Sequence, residues 1–339
     1  MRVSGSRVLR SFCAAALLLA AFSAPAFAVT MSWSPVGSPG NQADPATGGL
    51  YGAVPYFYSI GTYDVTLGQY AAFLNSVATT DPYGVYNSNM LTDFATQGIK
   101  QTSLIGGSFS YAVFGNPNMP AFDVTWGDAA RFANWMNNGQ PHGIGEVAAS
   151  TEGGSYTLNG HTDDAYLLTV TRNNGATIVL PSASEWHKAA YYDPANATYW
   201  AYPTQSNTVP SNIFSPTGTN NANFTDPDGM YYTDPVNLLT PVGAFTDSPG
   251  PFGTYDMGGD VNQWNEGNFD PYNSLLRGGS FYNTSGYLSS VALNGAIPSY
   301  VFDGLGFRLV SVPEPGCITM FVIGAGALLT WRMGKKRGH

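Results

Sequence analysis

The sequence predicts a single α+β domain with short strands, few helices and long loops, on three observations. Three Ser/Thr-x-x-Gln/Asp/Glu boxes each open a stretch with one apolar face, which is how helices begin. The strand candidates are short and isolated. Glycine (40) and proline (23) are abundant among 339 residues of which only 10% are charged, a balance that favours loops over long helices. With 44% hydrophobic and 14% aromatic residues, the chain can bury a sizeable core.

In order along the chain, residues 29–49 are polar and turn-rich, with Pro39-Gly40 and Gly48-Gly49. Tyr56 to Ile60 has the aromatic and branched content of a strand. Thr66-x-x-Gln69 opens a helix to about Val77, with Tyr70, Phe73, Leu74 and Val77 on one face. Thr125-x-x-Asp128 opens a second to about Asn137, burying Trp126, Ala130, Phe132, Ala133 and Met136. Residues 137–177 read as a hairpin-bearing insertion, with Tyr166–Thr171 as a strand and Arg172–Gly175 as its turn. Ser182-x-x-Glu185 opens a third helix carrying Trp186, Ala189 and Ala190. Residues 194–250 form a long polar loop, a kind that is either functional or held by something such as a metal.

Both ends are legible. Arg2, Arg7 and Arg10, the apolar run Phe12–Phe22 and Ala26-Phe27-Ala28 read as a signal peptide over residues 1–28, with a membrane anchor as the alternative. Pro313-Glu314-Pro315, the uncharged stretch Gly316–Trp331 and the basic end Arg332, Lys335, Lys336 and Arg337 resemble the PEP-CTERM sorting signal of Gram-negative bacteria over residues 312–339. The resemblance implies a transient anchor trimmed by a processing enzyme, and a permanent transmembrane helix is the alternative. The expected destination is the cell envelope, the cell surface or the medium.

Removing those ends takes away seven of thirteen basic residues and one of twenty-two acids, leaving a net charge near −15. Nucleic acid is excluded as a partner, because its binding rests on basic surface. Cations suit such a chain. The two cysteines, Cys13 and Cys317, lie in the ends, so the domain between them has no disulfide, thiolate metal site or cysteine nucleophile.

The stretch Phe252–Trp264 gathers three glycines, two aspartates, an asparagine and a glutamine between aromatic residues. Glycines allow turns in which oxygens converge, and converging oxygens suit calcium; a polar turn between strands is the alternative. Phe-Gly-x-Tyr-Asp-Met-x-Gly-Asp-Val-x-x-Trp is followed by Leu276-Arg277-Gly278-Gly279-Ser280-Phe281 and then Gly306-Phe307-Arg308-Leu309-Val310. Upstream stand Tyr63-Asp64-Val65-Thr66, Phe122-Asp123-Val124-Thr125-Trp126 and Val179-Leu180-Pro181-Ser182-Ala183-Ser184-Glu185-Trp186. In order and spacing these motifs resemble the formylglycine-generating (sulfatase-modifying factor) family across residues 50–311. The resemblance implies the C-type-lectin-like fold and two structural calcium ions. The positions matching the first ion's ligands are Asn223, Phe224, Asp234 and Val236. Those matching the second are Asp256, Gly259, Val261 and Gln263, where Asp and Gln stand in place of the family's Asn and Glu.

The family's reaction uses two cysteines shortly after Gly-Gly-Ser to bind copper and oxidise a client cysteine. The matching positions here are Asn283 and Leu288, neither of which offers the soft thiolate that copper(I) selects, so no copper is expected. A related branch, the sulfoxide synthases of thiol-histidine biosynthesis, holds iron with three histidines. His142, His161, His187 and His339 are scattered without ligand spacing. Two functions follow as expectations. One is an exported, calcium-stabilised binding module that takes a peptide, protein or glycan in a groove near Asn262, Ser280, Tyr282 and Asn283. The alternative is an oxidoreductase with other metal ligands.

Overall fold

The computed structural model describes residues 28–313 apart from 216, 227, 229 and 230. The expected signal peptide and sorting tail, and with them Gly316–Trp331 and His339, lie almost wholly outside these residues. Among the described residues no helix is long and apolar enough to cross a membrane.

The three capping boxes form as expected. Strands β1 (Trp33–Val36) and β2 (Tyr58–Gly61) precede helix α1 (Leu67–Val77). At its start Thr66 Oγ1 accepts from Gln69 N at 3.2 Å, and Gln69 Oε1 accepts from Thr66 N at 3.0 Å. A helical turn α2 (Asn89–Thr92) and the hairpin β3 (Gly98–Ser103) and β4 (Phe109–Phe114) follow, then α3 (Trp126–Asn137), capped by Thr125 and Asp128. After α4 (Asp164–Leu167) and β5 (Ile178–Val179) comes α5 (Ala183–Tyr191), capped by Ser182 and Glu185. The remaining strands are β6 (Tyr192–Asp193), β7 (Thr198–Tyr199), β8 (Asn262–Asp270), β9 (Asn273–Arg277), β10 (Asn294–Ala296), β11 (Leu305–Gly306) and β12 (Val310–Ser311). Each cap contributes on the order of 1 kcal/mol by satisfying amides that a helix start leaves unpaired.

Two four-stranded sheets carry the architecture, ordered β1-β2-β12-β5 and β10-β9-β8-β11, with β11 parallel to β8 and the other pairs antiparallel. The core fills with the predicted helix faces. Tyr70, Phe73 and Phe132 are fully buried and meet Trp135 and Phe307 edge-on or tilted, at ring distances of 5.2–6.3 Å.

Two expectations need correction. Residues 166–171 do not form a strand: Asp163 Oδ1 accepts from Tyr166 N at 2.9 Å and caps the helical turn α4 instead. Residues 137–177 hold no hairpin. That insertion is tied down by the end of α3, where Asn134 donates to Thr151 and Tyr156 carbonyls and Asn138 to Ser150 and Gly153 carbonyls. The polar, turn-rich residues 29–49 also contribute β1, which pairs with β2, and Asp44, which is buried against His187.

Candidate functional site

The motif stretch 252–264 turns sharply and delivers β8 into the second sheet. Gly259 has φ +89°, and a Cβ there would stand 2.1 Å from the Asn223 carbonyl, so only glycine fits. Asp260 N donates to that carbonyl at 2.9 Å. The Asp260 carboxylate accepts from Asn223 Nδ2, Thr240 N and Thr240 Oγ1 at 2.7–2.9 Å. Burial pushes Asp256 up to about 6, and burial with the Asp256 charge pushes Asp260 up to about 7.

The members of the first expected calcium set lie as follows. Asn223 is buried, and its Oδ1 has no hydrogen-bond donor. The Phe224 carbonyl takes two long contacts of 3.3 Å, from Asn212 and Thr233. Asp234 accepts from Val236 N, Asn237 N and Asn237 Nδ2 at 2.8–2.9 Å. Burial opposes ionisation there, yet the Asn237 and Val236 donors hold the carboxyl below its usual range. A buried oxygen without a donor at Asn223 and a carboxylate at Asp234 are the hard oxygen types that calcium takes. Val236 itself is exposed.

In the second set, the expected ligand Gln263 already has partners. Gln263 Oε1 accepts from Trp186 Nε1 at 2.6 Å and from Arg308 Nε at 2.7 Å, so both of its lone pairs are taken, one by a cation. Arg308 Nη2 also donates to the Asp256 and Tyr255 carbonyls at 3.0 Å. Asp256 Oδ2 accepts from Gly243 N at 2.6 Å. Of the expected ligands Asp256, Gly259, Val261 and Gln263, the Gln263 oxygen is thus engaged by Trp186 and Arg308, and Asp256 by Gly243 N.

At the family's cysteine positions, Asn283 Oδ1 accepts from Ser280 N, Ser280 Oγ and Asn262 Nδ2 at 2.8–3.1 Å. Leu288 is fully buried against Ala222 and Phe224. One position is an amide clamp on the Gly-Gly-Ser turn, and the other is core. Of the four expected groove residues, Ser280 and Asn262 are buried beneath the surface, while Tyr282 and Asn283 reach it.

The three described histidines sit apart. His161 stacks on Tyr166 with rings 3.7 Å apart and meets Asp163 at 2.9 Å. His187 is buried on Asp44 at 2.9 Å, and His142 is exposed on the insertion. Among the described residues no three His, Cys, Asp or Glu side chains are grouped to hold a metal ion.

Two clusters were missed from sequence. Arg172 joins Glu185 and Glu266, each at 2.8 Å, so Glu185 does more than cap α5. Asp93, Asp123 and Asp303 gather beside Tyr282, and Asp303 Oδ2 accepts from the Tyr282 hydroxyl at 3.2 Å. Its three acids are separated by more than two hundred residues, so no local spacing signals it.

Residues 53–312 match the Sulfatase-modifying factor enzyme 1-like domain. No curated protein matches the chain in sequence. Among solved structures, CarF is similar at a TM-score of 0.51 and 19% identity, over 84% of this chain and 99% of that one. Treponema denticola variable protein 1 is similar at a TM-score of 0.50 and 15% identity, over 86% and 98%. PvdO from Pseudomonas aeruginosa aligns at 0.45 and 19%, over 84% and 92%. At such identities the first two establish a shared fold, which by itself carries no function. With the match spanning most of the chain, this protein belongs to the sulfatase-modifying factor enzyme 1-like (FGE-sulfatase) family.

Proposed function

We propose that this protein is an exported, surface-sorted binding module on the family's scaffold, which does not perform formylglycine chemistry. The observation that carries the reading is the state of Asn283, whose side-chain oxygen is filled by three donors from Ser280 and Asn262. A position so occupied positions the Gly-Gly-Ser turn and offers no thiolate for copper. Leu288 closes the second position with hydrocarbon. The ligand is a peptide, protein or glycan laid across Tyr282 and Asn283. Calcium, held by Asn223, Phe224, Asp234 and the Val236 carbonyl, steadies the neighbouring loop. Export rests on the signal-like and Pro-Glu-Pro ends.

The test incubates the protein with copper, oxygen and a Cys-x-Pro-x-Arg peptide and looks for the aldehyde by mass spectrometry. No copper-dependent product above the no-enzyme control is expected; such product would move the oxidoreductase reading to first place. For export, intact mass of protein from its host's surface should show an end near residue 315, whereas a chain retaining Arg332–His339 would mean a permanent anchor.

A further inference from the structure

The start of α3 borders a cavity of about 80 Å³ that the groove at Tyr282 does not include. Gly127, Asp128 and Arg131 of α3 line it, and all three are buried. Arg131 Nε and Nη2 donate to Glu152 at 2.7 and 3.0 Å, while Nη1 is buried without an acceptor. Asp128, only 4% exposed, gives Oδ2 to the Thr125 amide and hydroxyl at 3.1 and 2.6 Å, which leaves Oδ1 over from the cap. Gly127 lies in the first turn, where a helix start leaves its amides without intrahelical partners. A buried guanidinium N–H left unmet is costly until a ligand meets it.

The side chain missing at Gly127 keeps that space open. A Cβ there would stand 3.2 Å from Arg131 Nη1, 3.3 Å from Leu167 Cδ1 and 3.7 Å from Thr125 Oγ1, atoms of residues that all line the cavity. Half-buried Tyr83, whose ring centroid is 5.1 Å from the Arg131 guanidinium, forms another wall. Thr162 and Ser299 line the cavity and are exposed, so it opens to solvent between them. Ser299 N donates to Asp164 Oδ1 at 2.8 Å and Trp126 N to the Pro298 carbonyl at 2.9 Å, which braces the opening against α3 and α4.

Charge selects the ligand. A cation would meet Arg131. An anion would meet Asp128, with Glu152, Asp81 and Glu146 already acting on the one guanidinium. A hydroxyl accepts from Nη1 and donates to Asp128 at once, which neither a carbonyl nor an ammonium can do. A sugar carries several hydroxyls on a C–H body, and Leu167 and Tyr83 supply the apolar walls for it. The space holds roughly half a dozen waters at the ~10–15 Å³ that each requires, enough for the edge of one sugar ring.

We infer that this cavity is a second binding site, for the edge of a neutral sugar, with one hydroxyl held between Arg131 Nη1 and Asp128. It shares no lining residue with the groove at Tyr282 and Asn283 and goes beyond the function proposed for that groove.

The test is saturation-transfer NMR on the full-length protein with the methyl glycosides of glucose, galactose, mannose and N-acetylglucosamine, each titrated for a Kd. Sodium acetate serves as the anionic competitor. At least one glycoside should bind, and acetate should not displace it. Gly127→Ala should weaken that binding at least about tenfold, because its methyl fills the space before Nη1 and removes a hydrogen bond to a charged group. Alanine is the better helix former by about 1 kcal/mol, which favours the fold of this variant, and a thermal melt verifies it. Thr162→Val and Ser299→Ala, both at exposed positions, should each weaken binding severalfold and keep the test valid if Gly127→Ala disturbs packing. No binding by any of these glycosides, displacement by acetate, or equal binding by wild type and all three variants overturns the inference. Binding lost in Tyr282→Ala but kept in Gly127→Ala would put the sugar in the groove and overturn it as well.

Discussion

Arg308 Nε donates to Gln263 Oε1 at 2.7 Å, so the amide expected to face calcium holds a guanidinium. The same side chain donates to the carbonyls of Gly61, Tyr255 and Asp256 at 3.0 Å and stands 3.0 Å from Asp64. It therefore ties the segment after β2 to the motif stretch 252–264. The contact with Asp64 is one of charge rather than of an aligned hydrogen bond, for neither Asp64 oxygen has a hydrogen-bond partner. Burial pushes Asp64 well up even against the Arg308 charge.

Arg308→Met should cost about 3–5 kcal/mol, because it strands several buried acceptors and the partner carboxyl at once. Denaturant unfolding measures this, and a loss below about 1 kcal/mol would refute it. Adding Asp64→Asn should recover part of the loss by removing the stranded acid.

Stability should fall as pH rises from about 4 to about 8. Asp123 is pushed up to about 8 by burial and by Asp93 and Asp303; Glu146 is pushed up to about 8 by burial and Asp81, with Arg131 opposing. Both carboxyls stay protonated in the fold at pH values where the unfolded chain, titrating near 4, has lost its protons. The native state thus binds more protons in that window, and raising pH removes the advantage. Denaturation midpoints at pH 5, 6.5 and 8 for the wild type and for Asp123→Asn with Glu146→Gln decide the point. The double variant should show the flatter profile, and parallel profiles would sink the assignment.

Gly259→Ala should destabilise by at least about 2 kcal/mol, combining a left-handed penalty with overpacking. The obstacle is backbone, the Asn223 carbonyl at 2.1 Å, which cannot rotate away. Gly253→Ala is the control, since its φ is +71° but nothing lies within 4 Å of the added methyl. Unfolding curves should separate the two clearly. Equal losses would mean that strain alone sets the cost.

Calcium at a hundredfold excess over its Kd should raise stability by about 2.7 kcal/mol if it binds only the folded state. Thermal melts with calcium and with a chelator test this, and Asp234→Ala should abolish the shift. Gln263→Ala should destabilise the protein but leave the shift intact, because its oxygen already serves Trp186 and Arg308. Coincident melts with and without calcium would remove calcium from the proposed function.

The helices were legible because their signals are local: a capping box needs four residues, and Thr66, Thr125 and Ser182 each supply one. The strand expected at 166–171 misled because Thr and Val carry branched side chains while Asp163, just outside the run, captures Tyr166 N for a helical turn. The motif order exposed the family, but not what fills its sites. Gln263 is committed to Arg308, 45 residues away, and His187 to Asp44, 143 away. Partnerships at such distances leave no trace in spacing.

The position of β12 has a consequence for synthesis. This strand lies between β2 and β5, with Val310 paired to both Ile60 and Val179. A chain emerging from its N-terminus carries the edges of β2 and β5 bare until its last described residues arrive. The first sheet is therefore sealed only once β12 has been made, and closing so long a loop makes for slow, non-local folding. Until then the exposed edges are templates for pairing with other chains. A factor that shields unfolded segments would serve this protein until β12 is in place.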